Sequence, residues 1–143
     1  MSADVIDRAY VLDEQIGFLF RQVTQRHTGI FAERIGDGLT PMQWAALAKL
    51  NEIGRTSQSA LGRAVCMDAA TVKGTVDRLE ARGLVIRTPD ADDRRKLLVD
   101  LTAEGQAMTE RNLAAAAAIT RETLAPLTAE ESRLLFALLQ KLL

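Results

Sequence analysis

The chain has 143 residues, 48% hydrophobic and 26% charged, with a formal net charge of −1, which fits one globular domain with a sizeable core. No run of 18 apolar residues offers a membrane span, and the first ten residues carry Asp4 and Asp7 instead of an apolar export core. One cysteine, Cys66, and one histidine, His27, exclude an intramolecular disulfide and a zinc-finger-type metal site. The expectation is a cytoplasmic protein with no membrane partner, no metal and no other cofactor.

Val5, Ala9, Leu12, Ile16, Leu19, Val23 and Ile30, with His27 in the same stripe, recur at steps of three and four. That spacing predicts one long amphipathic helix with a narrow, coiled-coil-like seam, fading at Gly36 and Gly38. Thr40, Pro41 and Gln43 have the spacing of a capping box with proline at the first helical position. Trp44, Leu47, Ala48 and Leu50 supply the buried side of the helix they open, and Gly54 ends it. A short helix follows, capped by Ser57 or Thr56, then a turn at Cys66 and Met67. Asp68 caps a further helix that Gly83 closes. Residues 84–87 and 96–101 read as two strands of a hairpin whose long loop carries Pro89. Thr102 starts an alanine-rich helix stopped by Pro126, and Thr128 with Glu131 forms a second capping box before the terminal helix. Short helix, turn, helix and two-stranded wing in this order predict a winged helix-turn-helix, mainly α with a small β-hairpin.

Charge is not spread evenly. Between Arg55 and Lys96 nine bases face six acids, a local +3, while the rest of the chain carries −4. A basic middle between acidic flanks points to a polyanion-binding surface. On the helix that Asp68 opens, Val72, Val76 and Leu79 share the inward face. Opposite lie Ala70, Gly74 and Ala81, with Thr71, Asp77 and Arg78 to the side and Lys73 and Thr75 flanking. Glycine inside a helix costs about 1 kcal/mol relative to alanine. Two gains would offset it at Gly74: close approach of bases in a major groove, or a neighbouring helix crossing at that point. Arg78, one turn on, is placed to reach a phosphate or is a plain surface arginine.

The stretch from Gln58 to Arg87, followed by Asp92 to Gly105, resembles the DNA-binding lobe of the MarR family of transcriptional regulators. The family's wing motif falls on Asp93, Arg95, Leu101 and Thr102. Its helix pattern falls on Thr71, Val76, Asp77, Arg78, Leu79, Glu80, Gly83, Leu84 and Val85. The flanking helices match in number and length. The resemblance implies a homodimer on a pseudo-palindromic double-stranded operator, usually a repressor relieved by a small ligand or by oxidation. It divides the chain into an N-terminal dimerisation helix (1–38), a DNA-binding lobe (39–103) and C-terminal dimerisation helices (104–143), integrated in one domain. The DNA-binding set is Ser59, Ala70, Thr71, Lys73, Gly74, Thr75, Arg78, Asp93, Arg94 and Arg95.

Two positions depart from the family pattern. Cys66 stands where glycine is common, so that turn must be built differently. Gly74 stands where many relatives carry a larger polar residue, so base reading passes to Thr71, Lys73 and Thr75. At the wing, Asp90, Asp92 and Asp93 are expected to hold the arginines and present Arg95 to a narrow minor groove.

The seam of the first helix and the terminal Leu134, Leu135, Phe136, Leu138, Leu139, Leu142 and Leu143 are more apolar surface than a small monomer buries, which predicts the dimer. His27, with Arg26 beside it and Trp44 on the next helix, is a candidate pocket for a small aromatic acid or its acyl thioester. The competing reading is a histidine hydrogen-bonded at the dimer seam. Cys66 is not read as a redox site, because the family's thiol sensors lie on the first helix. An enzyme is disfavoured: the one His and the one Cys lie in different elements and no glycine-rich phosphate loop is present. The stronger rival is a winged-helix protein-interaction module that binds no DNA.

Overall fold

A computed structural model describes residues 9–143; Val5, the first residue of the expected seam, lies outside them. The elements are α1 (Ile16–Arg34), α2 (Pro41–Ile53), β1 (Thr56–Ser57), α3 (Gln58–Ala64), α4 (Ala69–Ala81), β2 (Val85–Pro89), β3 (Leu97–Leu101), α5 (Ala103–Thr123) and α6 (Ala129–Gln140). They form two compact units: residues 9–33 with Ile119–Leu143, and Arg34–Ala118.

In the second unit, local chemistry sets most boundaries. Thr40 accepts from the Gln43 backbone N–H (3.2 Å) while the Gln43 side chain accepts from the Thr40 N–H (3.3 Å), the reciprocal pair that opens α2. Ser57, not Thr56, caps α3, accepting from the Ala60 N–H at 3.1 Å. Asp68 caps α4 through the Thr71 N–H at 2.7 Å. Gly83 closes α4 at φ +73°: its N–H donates to Glu80 O (2.9 Å) and the Leu84 N–H to Leu79 O (3.0 Å), the paired bonds of a Schellman end.

Cys66 repeats that ending on α3. Its N–H donates to Arg63 O (3.4 Å) and the Met67 N–H to Gly62 O (2.9 Å), with Cys66 at φ +56°. The turn is therefore not built differently: cysteine adopts the left-handed conformation that glycine would take, against the steric preference of an L side chain.

Three antiparallel strands, in the order β1-β3-β2, replace the expected two. Thr56 and Ser57 leave α2 extended and pair with Val99 and Leu98, and β2 runs through Pro89, which faces Leu97. Leu47, Leu50, Leu61, Val76, Leu79 and Val99 are the heart of the core, with Trp44 packed at its edge. Val72, Val76 and Leu79 do form the inward face of α4. α5 starts tight against the sheet: Thr102 Oγ1 donates to Gly83 O (2.6 Å) and accepts from the Gly105 N–H (3.0 Å). A Cβ on Gly105 would collide with the Leu84 carbonyl oxygen, so only glycine fits there.

In the first unit the expected helix from Val5 is not continuous. Residues Leu12–Glu14 form a 3-10 turn bounded by extended Val11 and Gln15, and α1 begins only at Ile16. Ile30 and Phe31 of α1 and Ile119 of α5 are buried, whereas Ile16, Leu19, Phe20 and Val23 are exposed. α6 opens on the expected Thr128–Glu131 capping box (2.9 and 3.1 Å) and exposes Leu134, Leu135, Phe136, Leu138 and Leu139. Among the described residues no helix is long and apolar enough to cross a membrane, and no cluster of His, Cys, Asp and Glu is placed to hold a metal ion.

Candidate nucleic-acid interface

The second unit places the outer side of α4, the start of α3 and the wing as its polar features. On α4, Ala70, Lys73 and Arg78 are exposed and Thr71 and Gly74 half-buried. Thr75 does not belong with them. It is 1% exposed, and its hydroxyl donates back to Thr71 O at 2.9 Å, so it neither reaches a base nor has a proton to offer one. A threonine hydroxyl commonly bonds back to a carbonyl one turn earlier, and here the inward rotamer satisfies it. Thr75 is a core residue.

A Cβ on Gly74 would be tolerated, its nearest neighbours lying at ordinary van der Waals distance. A Cβ there would meet no neighbouring helix; within 4 Å it would find only the Arg78 guanidinium, Nη1 at 3.5 Å and Nη2 at 4.0 Å. The crossing-helix reading therefore falls.

The cations of this face differ in how they are held. Lys73 Nζ is 2.9 Å from Asp77. Arg87 on β2, which sequence reasoning did not single out, is bound on three sides: Asp77 at 2.6 Å, Glu80 at 3.0 Å, and Gln58 Oε1 at 3.3 Å. Its backbone N–H also donates to Glu80 (3.1 Å). Arg87 thus fastens α4 to the sheet and to the first residue of α3. Hydrogen bonds from Lys73 first and Arg87 next hold the Asp77 carboxyl below its ordinary range, and Arg87 does the same to Glu80. Alternation along residues 84–87 was the only signal for Arg87; its acid partners lie on another element.

At the wing tip, Asp93 accepts from the Arg95 backbone N–H (3.1 Å), Nε (3.2 Å) and Nη2 (3.5 Å). Those bonds lower the Asp93 pKa, so the grip persists further into acid than an ordinary carboxylate's would. The Arg95 side chain is nonetheless 91% exposed. Asp90 and Asp92 hold no arginine. Asp90 instead accepts from the Asp92 N–H (2.9 Å), and its own N–H donates to Lys96 O (3.0 Å), shaping the loop. Arg94 is exposed. Ser59, Arg63, Arg95 and Lys96 line one recess of about 270 Å³ between the start of α3 and the wing, so Ser59 and Arg95 are brought together. Hydroxyls and cations converging in this way suit a phosphate oxygen.

Of the residues proposed for a small ligand, two lie in the first unit. Arg26 donates from Nη1 to Thr123 O (2.7 Å) and from Nη2 to Glu122 O (3.0 Å), satisfying carbonyls at the end of α5. His27 Nδ1 is 2.8 Å from Thr123 Oγ1, so the hydrogen bond of His27 is made within the chain. Thr123 gives its hydroxyl proton to Ile119 O (2.8 Å), which leaves the hydrogen of the His27–Thr123 bond on Nδ1, and Nε2 has no partner among the described residues. Trp44, in the second unit, is partly buried at the edge of the core.

Residues 39–97 match the MarR family model. The chain is 38% identical to the HTH-type transcriptional repressor NicR of Pseudomonas putida, over 99% of this chain and 90% of that one. A crystal structure of a probable transcriptional regulator from Pseudomonas aeruginosa superposes with a TM-score of 0.91 at 53% identity, covering 93% of this chain and all of that one. BpsR of Bordetella bronchiseptica, whose DNA binding is regulated by 6-hydroxynicotinic acid, superposes with a TM-score of 0.90 at 38% identity, covering 94% and 97% of the two chains. Winged fold, exposed α4, anchored wing arginine and these likenesses agree: the chain belongs to the MarR family of DNA-binding transcriptional regulators.

Proposed function

We propose that the chain is a homodimeric repressor that binds a pseudo-palindromic operator and leaves it when a small aromatic acid, or its acyl thioester, binds. One observation carries the DNA half: α4 offers Ala70, Thr71, Lys73, Gly74 and Arg78 at its surface, in the same unit as Ser59 and a wing whose Arg95 is gripped by Asp93 yet exposed. Helix residues suit base edges in the major groove, and Arg94 and Ser59 suit phosphates. A module that bound only protein would have no need of a wing arginine held ready in this way. The protein acts in the cytoplasm, with no catalytic step, metal or other cofactor of its own.

The apolar faces of α1 and α6 support the dimer. Ile16, Leu19 and Val23 on one helix and Leu134, Phe136 and Leu138 on the other are exposed in the single chain, and apolar residues exposed in such number are normally covered by a partner. The effector class rests on the likeness to BpsR and on His27, whose Nε2, without a partner among the described residues, suits a hydroxyl or carboxyl group. Arg26, in the same unit as His27, and Trp44, in the other unit, are each proposed separately as effector contacts and tested by their own substitutions.

The test is fluorescence anisotropy on an operator selected from random duplex DNA, titrated with 6-hydroxynicotinic acid and other hydroxylated aromatic acids. Release by at least one of them is expected, weakened in His27→Ala, Arg26→Ala or Trp44→Ala. Unchanged binding with every acid would reject the effector class. An unaltered response in all three variants would reject those residues as effector contacts.

A further inference from the structure

Resting on the DNA-binding reading above, we propose that Arg78 is the base-reading residue of α4, selecting a G·C pair in each operator half-site, and that the lack of a large side chain at position 74 leaves room for its guanidinium. Three observations lead there. First, two of the three residues expected to inherit base reading from position 74 are compromised. Thr75 is buried with its hydroxyl occupied, and Lys73 is neutralised by Asp77 at 2.9 Å. Second, Arg78 is exposed and its guanidinium makes no hydrogen bond or ion pair among the described residues, whereas Arg82 and Arg87 are both engaged. Third, the guanidinium lies over Gly74, with Nη1 3.5 Å from where a Cβ would stand.

Side chains on a helix lean toward its N-terminus, so Arg78 covers the turn that begins at Gly74. No large side chain at position 74 stands between the guanidinium and the N-terminal half, which enters a major groove. Arg78 also lines a largely apolar recess with Thr40, Pro41 and Met42 at the start of α2. A charged guanidinium unpaired among the described residues matches the O6 and N7 acceptors of guanine in a bidentate contact. A phosphate contact would need the charge but not the fork.

The experiment is selection of bound sequences from a random duplex pool by wild type, Arg78→Lys and Gly74→Leu. Lysine keeps the charge and loses the fork. Leucine keeps Arg78 but carries a side chain beyond the Cβ position, whose only neighbour is the guanidinium, and so displaces it. Wild type should enrich a symmetric motif with a fixed G·C pair in each half. Both variants should relax that pair by about tenfold or more. An Arg78→Lys motif identical to wild type at every position would overturn the assignment while leaving DNA binding intact, and would place Arg78 on a phosphate. Relaxation by Arg78→Lys but not by Gly74→Leu would overturn the role given to Gly74. Failure of wild type to enrich any sequence would overturn this inference together with the proposed function.

Discussion

Arg95 is fixed by Asp93 through Nε and Nη2 and still presents Nη1 to solvent. A narrow A·T-rich minor groove concentrates negative potential, and a pre-oriented guanidinium gains most from it. Arg95→Ala should therefore weaken binding more on an operator with A·T flanks than on one with G·C flanks. Asp93→Ala should partly copy that pattern. Arg94→Ala should weaken all sequences alike and lower the salt slope by about 0.9 if one phosphate contact is lost. Binding of the three variants to two operators differing only in their flanks, at two salt concentrations, checks this. Equal losses for Arg95→Ala on both flanks would reject minor-groove reading. Cys66 offers a test free of DNA. Its φ of +56° and exposed side chain mean that Cys66→Gly removes strain and loses little contact. Glycine's extra freedom in the unfolded chain offsets part of the gain, so a stabilisation of about 0.5–1 kcal/mol is expected in urea unfolding, and a loss would contradict the strain. Residue-level expectations held where one side chain acts on its own neighbourhood, as with Asp93 and Arg95. They failed at Thr75, because a helical wheel gives a direction but not whether a hydroxyl turns back on its own backbone.

Between elements, the polar ties are long in sequence. Asp37, itself at φ +62°, accepts two bonds from Arg111 (2.8 and 3.0 Å) and one from Asn112 (2.7 Å), while its carbonyl accepts from Arg82 (2.6 Å) at the end of α4. The loop before α2 is thereby fastened to α4 and α5 at once. Arg111 first and Asn112 next lower the Asp37 pKa. A carboxylate with a depressed folded pKa stabilises above its unfolded value, about 3.9, and loses that contribution as pH falls through the folded value. Asparagine tolerates the same backbone conformation, so Asp37→Asn isolates the charge. The stability gap between wild type and Asp37→Asn should be constant from pH 8 to 5 and close below about pH 4; a gap unchanged in acid would contradict the pairing. None of this was legible in the sequence, because partners some 75 positions apart leave no local pattern. The same holds for Arg87 with its acids on α4, and for β1, two residues recognisable as a strand only from their pairing with β3. By contrast, the capping boxes at Thr40 and Thr128, the Asp68 cap and the Gly83 ending were legible, since each is complete within a few residues. The break at Gln15 was not, because apolar spacing continues across a backbone that does not.

At the scale of the molecule, the exposed apolar faces of α1 and α6 are the largest debt the single chain leaves. Dimerisation through them should persist at nanomolar concentration in analytical ultracentrifugation, and deletion of residues 134–143 should cause aggregation or unfolding. A soluble, folded monomer from that deletion would contradict the dimer. Two-fold symmetry would in turn set two copies of α4 on half-sites about one helical turn apart, and the phosphate contacts of both wings would make affinity fall with salt. The most direct test of the whole account is a titration of the wild-type protein onto a duplex carrying its selected sequence, with stoichiometry read by native mass spectrometry and affinity at several salt concentrations. The expected result is two chains per duplex, affinity falling steeply with salt, and binding at least about 1,000-fold tighter than to a scrambled duplex. One chain per duplex, or equal affinity for the scrambled sequence, would contradict it.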